Sequence, residues 1–146
     1  MERGLSVLIA APLDVVRELG AALGDGVKVV GATTFDDALA CLKDKPNVIV
    51  VCYVFDELRP YRLIQHVRSE LEDVAIPIVL VRALPVRFGS EESAVKDSYL
   101  AMGVNQFLNV WTETQRHGRP AALQQFSNCV FSFLPPGRLA EAVVDH

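Results

Sequence analysis

The sequence predicts a doubly wound α/β fold, a three-layer sandwich with helices on both faces of a five-stranded parallel sheet. Three observations carry this. The runs Leu5 to Ala10, Val48 to Val54 and Ile76 to Val81 are apolar almost without interruption, as strands covered on both faces must be. Between them lie amphipathic stretches of helical period. Proline and glycine punctuate the junctions, so that strand and helix alternate at a spacing suited to right-handed crossovers.

Leu5 to Ala10 is a buried strand, and Pro12 suits the first turn of the helix that follows. Val15, Val16, Leu19, Ala22 and Leu23 recur at helical spacing, and Gly24-Asp25-Gly26 stops that helix. Val27 to Ala32 is a valine-rich second strand. Thr34 can cap the next helix, with Asp36 and Asp37 near its positive end and Ala38, Leu39 and Leu42 inward; Pro46 closes it. Val48 to Val54 is the central strand. After a loop from Phe55 to Arg59, Pro60 opens a third helix with the stripe Leu63, Ile64, Val67 and Leu71. Ile76 to Val81 is a fourth strand, Leu84 to Ser90 an irregular loop, and Glu91 to Met102 a helix.

The last third admits two readings. In one, Asn105 to Trp111 and Cys129 to Leu134 are both strands, pairing as a hairpin about the break at His117-Gly118-Arg119-Pro120. In the other, the preceding helix continues through Gly103, because Leu100, Val104, Phe107, Leu108 and Trp111 also fit its period, and 129–134 is a single fifth strand. The two-strand reading is slightly favoured. Pro135-Pro136 then leads into a terminal helix with Leu139, Val143 and Val144 inward.

A chain of 146 residues, 51% hydrophobic, is long enough to build one domain with a proper core. The 14 Lys and Arg are scattered among 18 acids for a net charge of −4, which argues against nucleic acid as a partner. No apolar stretch approaches the roughly 20 residues needed to span a bilayer. The N-terminus has no signal-peptide pattern, and Cys41, Cys52 and Cys129 form an odd set without CxxC spacing. Free thiols in the cytoplasm are expected, with no disulfide framework and no zinc site.

Several segments, in order, resemble the receiver domain of two-component response regulators. Val29-Val30-Gly31-Ala32 followed by Asp37-Ala38-Leu39 is similar to that family's second strand and helix, and Pro46-Asn47-Val48-Ile49-Val50-Val51-Cys52 to its third strand. Ile76-Pro77-Ile78-Val79-Leu80-Val81 is similar to the fourth strand, and Ala101-Met102-Gly103-Val104-Asn105-Gln106-Phe107-Leu108 to the approach to the fifth. The likeness covers roughly residues 5–110, with Phe133 to Val144 as a displaced final helix. The stretch after Ala83 is longer than the family norm. The resemblance implies a flavodoxin-like, receiver-like domain over 1–146, with 111–146 as an extended C-terminal segment.

The family's chemistry is phosphoryl transfer to an aspartate, aided by a hard divalent cation that requires oxygen ligands. Carried over by resemblance, the acidic pair falls at Ala10 and Ala11 and the phosphoacceptor at Cys52. The hydroxyl at the end of the fourth strand falls at Arg82, and the lysine ending the fifth at Val110 or, on the other alignment, at Leu134. The resemblance thus implies a pseudo-receiver with no phosphoacceptor, metal or cofactor. It would be a phosphorylation-independent, non-enzymatic signalling module acting through a protein partner or homodimerisation. By the same resemblance, the contact surface lies in 91–134.

Two other functions compete. Cys52 at a sheet edge could serve a redox sensor or enzyme, although no histidine is placed as its base and packing is the simpler role. Arg82 could hold an anion or small ligand, or pair with Asp56 or Glu57 across the same edge. No nucleotide-binding glycine motif occurs, and Arg116-His117-Gly118-Arg119 reads as a solvated turn. The aromatics of the last third, Tyr99, Phe107, Trp111, Phe126, Phe131 and Phe133, chiefly complete the core. A minority are candidates for an exposed interface.

Overall fold

The computed structural model describes residues 5–70, 75–85 and 92–135. Leu71, residues 86–91 and the terminal helix expected around Leu139, Val143 and Val144 lie outside them. A five-stranded parallel sheet forms the middle layer, in the order β2-β1-β3-β4-β5. The strands are β1 (Ser6–Ala10), β2 (Lys28–Ala32), β3 (Val48–Cys52), β4 (Ile78–Arg82) and β5 (Gln106–Asn109). Helices α1 (Leu13–Leu23), α2 (Phe35–Leu42), α4 (Pro60–Glu70) and α5 (Glu92–Ala101) make the crossovers, and α6 (Val110–His117) and α7 (Arg119–Ser132) follow the last strand. A four-residue turn, α3 (Phe55–Leu58), precedes α4.

β3 is central, and all five of its residues are buried. Alternation along the strands separates two apolar layers. Val7, Ile9, Val48, Val50, Val79 and Val81 face α1 and α7, where they meet Val15, Leu19, Phe126 and Val130. Leu8, Ile49, Val51, Ile78 and Leu80 face the other way and meet Ala38, Leu42, Leu63, Ile64 and Val67 of α2 and α4. At about 25 cal/mol per Å² of apolar surface, each fully buried Leu, Ile or Phe contributes roughly 1.5–3 kcal/mol. Helix α2 begins as its residues require: Thr34 Oγ1 accepts the Asp37 N–H at 3.1 Å, with Asp36 and Asp37 in the first turn.

In the last third, the strand expected within Asn105 to Trp111 forms as β5, but the second strand does not. β5 ends at Asn109, whose side chain accepts the Thr112 N–H at 2.8 Å and caps α6, so Val110 and Trp111 are helical. Helix α5 stops at Ala101, short of Gly103. Cys129 to Leu134 is not a strand: residues up to Ser132 belong to α7, so neither a hairpin nor a second strand in this segment forms. Ala122, Phe126, Val130 and Leu134 are all buried at intervals of four, which is a helical face against the sheet. A six-residue apolar run seen alone fits strand and helix equally; the longer repeat decides. Gly118, with φ +91, makes the sharp break between α6 and α7, a conformation that side chains rarely adopt.

Among the described residues, no helix is long and apolar enough to cross a membrane.

Candidate functional site

Because all strands run the same way, their carboxyl ends share one edge, where doubly wound sheets place ligands. The register fixes the neighbours there: Ala10 lies beside Val51 and Ala32, Cys52 beside Val81, and Arg82 beside Asn109. Since β5 ends at Asn109, Val110 rather than Leu134 stands where the chain leaves the fifth strand. The structure therefore brings Ala10, Ala11, Cys52, Arg82 and Val110 to one edge. Their side chains do not form a common polar pocket. Ala11, Cys52 and Val110 point into the layer with α1 and α7, and Ala10 into the opposite layer. Ala10, Ala11 and Cys52 are fully buried and Val110 is 3% exposed.

Cys52 is a poor nucleophile in this setting. Burial pushes its thiol above the usual value, and hydrogen bonding with the backbone at Val54, Ala83 and Tyr53 offsets this only in part. Arg82 is half-buried and donates from Nη1 to Thr112 Oγ1 at 3.5 Å, reaching the first turn of α6. The carboxylate of Asp56 is engaged by Arg62 Nη1 at 2.8 Å and Arg59 Nη2 at 3.3 Å, and Glu57 is exposed. Asn109 Nδ2 donates to Glu92 Oε1, which ties β5 to the start of α5.

The strand-end side chains supply two methyl groups, a thiol, a guanidinium and an isopropyl group. A hard cation such as magnesium needs oxygen ligands, so these residues do not fit one. Among the described residues, no group of three or more His, Cys, Asp or Glu side chains is placed to hold a metal.

Beside this edge lies a cleft of about 310 Å³, lined by Pro12, Thr33, Thr34 and Phe35 on one side and by Val54, Phe55, Asp56 and Glu57 on the other. Its second wall is α3, which the sequence reads as an irregular loop. Asp56 (φ 56°, ψ 48°) and Glu57 (φ 56°, ψ 49°) have left-handed helical backbone, and Leu58 follows with φ 64°. Three such residues in succession without glycine cost roughly 1–2 kcal/mol each. Arg62 contacts this turn: while it pairs with Asp56, its guanidinium carbon lies 4.2 Å from the centre of the Phe35 ring.

A second feature is a tyrosine cluster made by all three tyrosines of the chain. The rings of Tyr53 and Tyr99 meet edge to face at 6.2 Å. Burial, followed by the proximity of Tyr53 and Tyr61, pushes the Tyr99 hydroxyl up to about 12. Burial also raises Tyr53, opposed by the Arg82 charge. Tyr99 reaches Tyr53 and Tyr61 from a distant segment, so no local pattern announces the cluster. Of the aromatics singled out from sequence, Phe126 (0% exposed) and Phe107 (6%) are core residues. Tyr99, Trp111 and Phe131 are half-buried and reach the surface.

No family model matches the sequence, and neither does any curated protein. Solved structures do match. A response regulator receiver domain from Rhodospirillum rubrum aligns over 90% of this chain and 96% of its own, with a TM-score of 0.69 at 12% identity. The phosphorylated cyanobacterial phytochrome response regulator RcpA aligns over 90% and 94%, with a TM-score of 0.68 at 15% identity. The chemotaxis response regulator CheY4 of Vibrio cholerae aligns over 90% and 100%, with a TM-score of 0.67 at 17% identity. The fold is thus the flavodoxin-like fold of response-regulator receiver domains.

Proposed function

We propose that this domain is a phosphorylation-independent regulatory module that acts by binding another protein or a second copy of itself. One observation carries the reading. Ala10, Ala11, Cys52 and Val110, at the strand ends where receivers do their chemistry, are buried in apolar layers. Forming an acyl phosphate needs a carboxylate nucleophile and charge stabilisation of the transferred group, and these side chains provide neither. In this reading the domain is not an enzyme, binds no cofactor and belongs to a cytoplasmic two-component pathway.

The contact surface is assigned to the exposed parts of 91–134. Helix α5 has no buried residue, Leu100 is 37% exposed, and Trp111 and Phe131 are half-buried. Half-buried aromatics and exposed aliphatics are suited to interface centres. Any switching would come from a partner that binds one conformation more tightly than another.

The test is intact-protein mass spectrometry after incubation with acetyl phosphate and magnesium. An unchanged mass is expected. A stable acyl-phosphate adduct on any aspartate would overturn the reading. Solution mass measured for the wild type and Trp111→Ala then separates self-association from contact with another protein.

The Cys52 thiol reading is disfavoured by its burial and raised pKa. An anion sensor at Arg82 is the second reading, favoured by a half-buried guanidinium at the carboxyl end of β4. Titration with inorganic phosphate, followed by NMR shifts at Arg82 and Thr112, tests it.

A further inference from the structure

Arg62 contacts both walls of the cleft. Its guanidinium pairs with Asp56 of α3 on one wall and stacks on Phe35 of α2 on the other. Arg59 adds a second contact to the Asp56 carboxylate, and its Nε donates to the Asp56 carbonyl at 3.1 Å. The turn so held is the left-handed run Asp56–Glu57–Leu58, and Leu58 is 52% exposed at its end. Apolar burial does not account for this geometry, because only Phe55 of the turn is buried. A strained backbone held by a few polar contacts has a second, less strained conformation within reach when those contacts are released.

We propose that α3 is a two-state latch: Arg62 clasps Asp56 to Phe35 and keeps the turn left-handed, and its release lets Asp56–Leu58 relax and frees one wall of the cleft. The latch sits three residues beyond Cys52, on the chain leaving the central strand. It would let a noncovalent partner change the edge of the sheet without covalent chemistry there. The proposal rests on the turn itself and holds whether or not the domain is ever phosphorylated.

Residue-resolved amide exchange by NMR on the full chain tests it, read at Leu58 and Arg59, whose N–H groups bond the Val54 and Phe55 carbonyls. Arg62→Met keeps the apolar stem and removes the charge; exchange at these two amides should rise about tenfold, with β1 and β3 unaffected. Glu57→Gly places a residue that tolerates positive φ at an exposed position, and should slow the same exchange about fivefold. Unchanged exchange in Arg62→Met would overturn the latch. So would loss of protection shared equally by β1 and β3, or exchange in Glu57→Gly that is not slower.

Discussion

Arg119 and Glu18 form a bidentate ion pair that fastens the start of α7 to the middle of α1. Nε donates to Oε2 at 2.9 Å, Nη2 donates to Oε1, and Nη1 donates to Thr114 Oγ1 at 3.0 Å. One guanidinium thus joins α1, α6 and α7, in a stretch that the sequence reads as a solvated turn. The fork of the arginine fits the carboxylate with two parallel bonds, which a lysine could not reproduce.

This pair makes stability depend on pH in a definite direction. The Arg119 hydrogen bonds hold the Glu18 carboxyl below its ordinary value of 4.5, against a smaller opposing effect of burial. A carboxyl lowered in the folded state stabilises above its unfolded value, and the contribution is lost as pH falls through the folded value. The pair is partly solvated, so Arg119→Met should cost only about 1 kcal/mol near neutrality. Urea unfolding should show that difference shrinking as the pH falls below 4.5. A penalty independent of pH would mean that the arginine stem, not its charge, matters.

Gly31 in β2 is there for space. A Cβ at this position would lie 2.5 Å from Val16 Cγ1 of α1. Gly31→Ala should therefore destabilise the fold by roughly 1–3 kcal/mol through overpacking. Val16→Ala should recover part of that loss in the double variant, measured as a coupling energy by chemical denaturation. Simple additivity would show that the strand and helix can move apart.

Tyr99 should titrate late, with a midpoint near 12 in alkaline ultraviolet difference spectra. The phenol that stays protonated in the fold favours folding below its unfolded value, about 10, and that contribution disappears as pH rises through about 12. Tyr99→Phe should remove the late transition. A late transition surviving in that variant would place the buried phenol elsewhere.

Cys52 should resist alkylation in the native protein. Burial raises the pKa of all three thiols, but Cys41 and Cys129 are only half-buried, whereas Cys52 is fully buried. At about pH 8, mass-resolved labelling should find Cys52 slower than the other two by on the order of a hundredfold, limited by opening of the fold. Rapid modification of Cys52 would revive the thiol-based function.

Much of this architecture is legible in the residues because it is local. β1, β3 and β4 are apolar almost throughout, α1 carries Val15, Leu19 and Leu23 at helical spacing, and Thr34 caps α2. Local patterns do not decide residues 103–134. Cys129 to Leu134 satisfies a two-residue and a 3.6-residue period alike, and only packing of Phe126 and Val130 against the sheet selects the helix. The sequence offers Asp56 or Glu57 as a partner for Arg82 across the sheet edge, but α3 turns the Asp56 carboxylate to Arg59 and Arg62 and leaves Glu57 exposed.

The amino-acid sequence alone determined the parallel doubly wound core and the residue types at its carboxyl edge, Ala10, Ala11, Cys52 and Arg82. Strand burial and side-chain chemistry are written one residue at a time. Only the tertiary structure decided that α7 replaces a strand, that Arg119 reaches Glu18, that three tyrosines converge, and that Arg62 spans a cleft from Asp56 to Phe35. Each of these joins elements remote in the chain or sets a backbone against its intrinsic preference, and no local period records such a balance of long-range contacts.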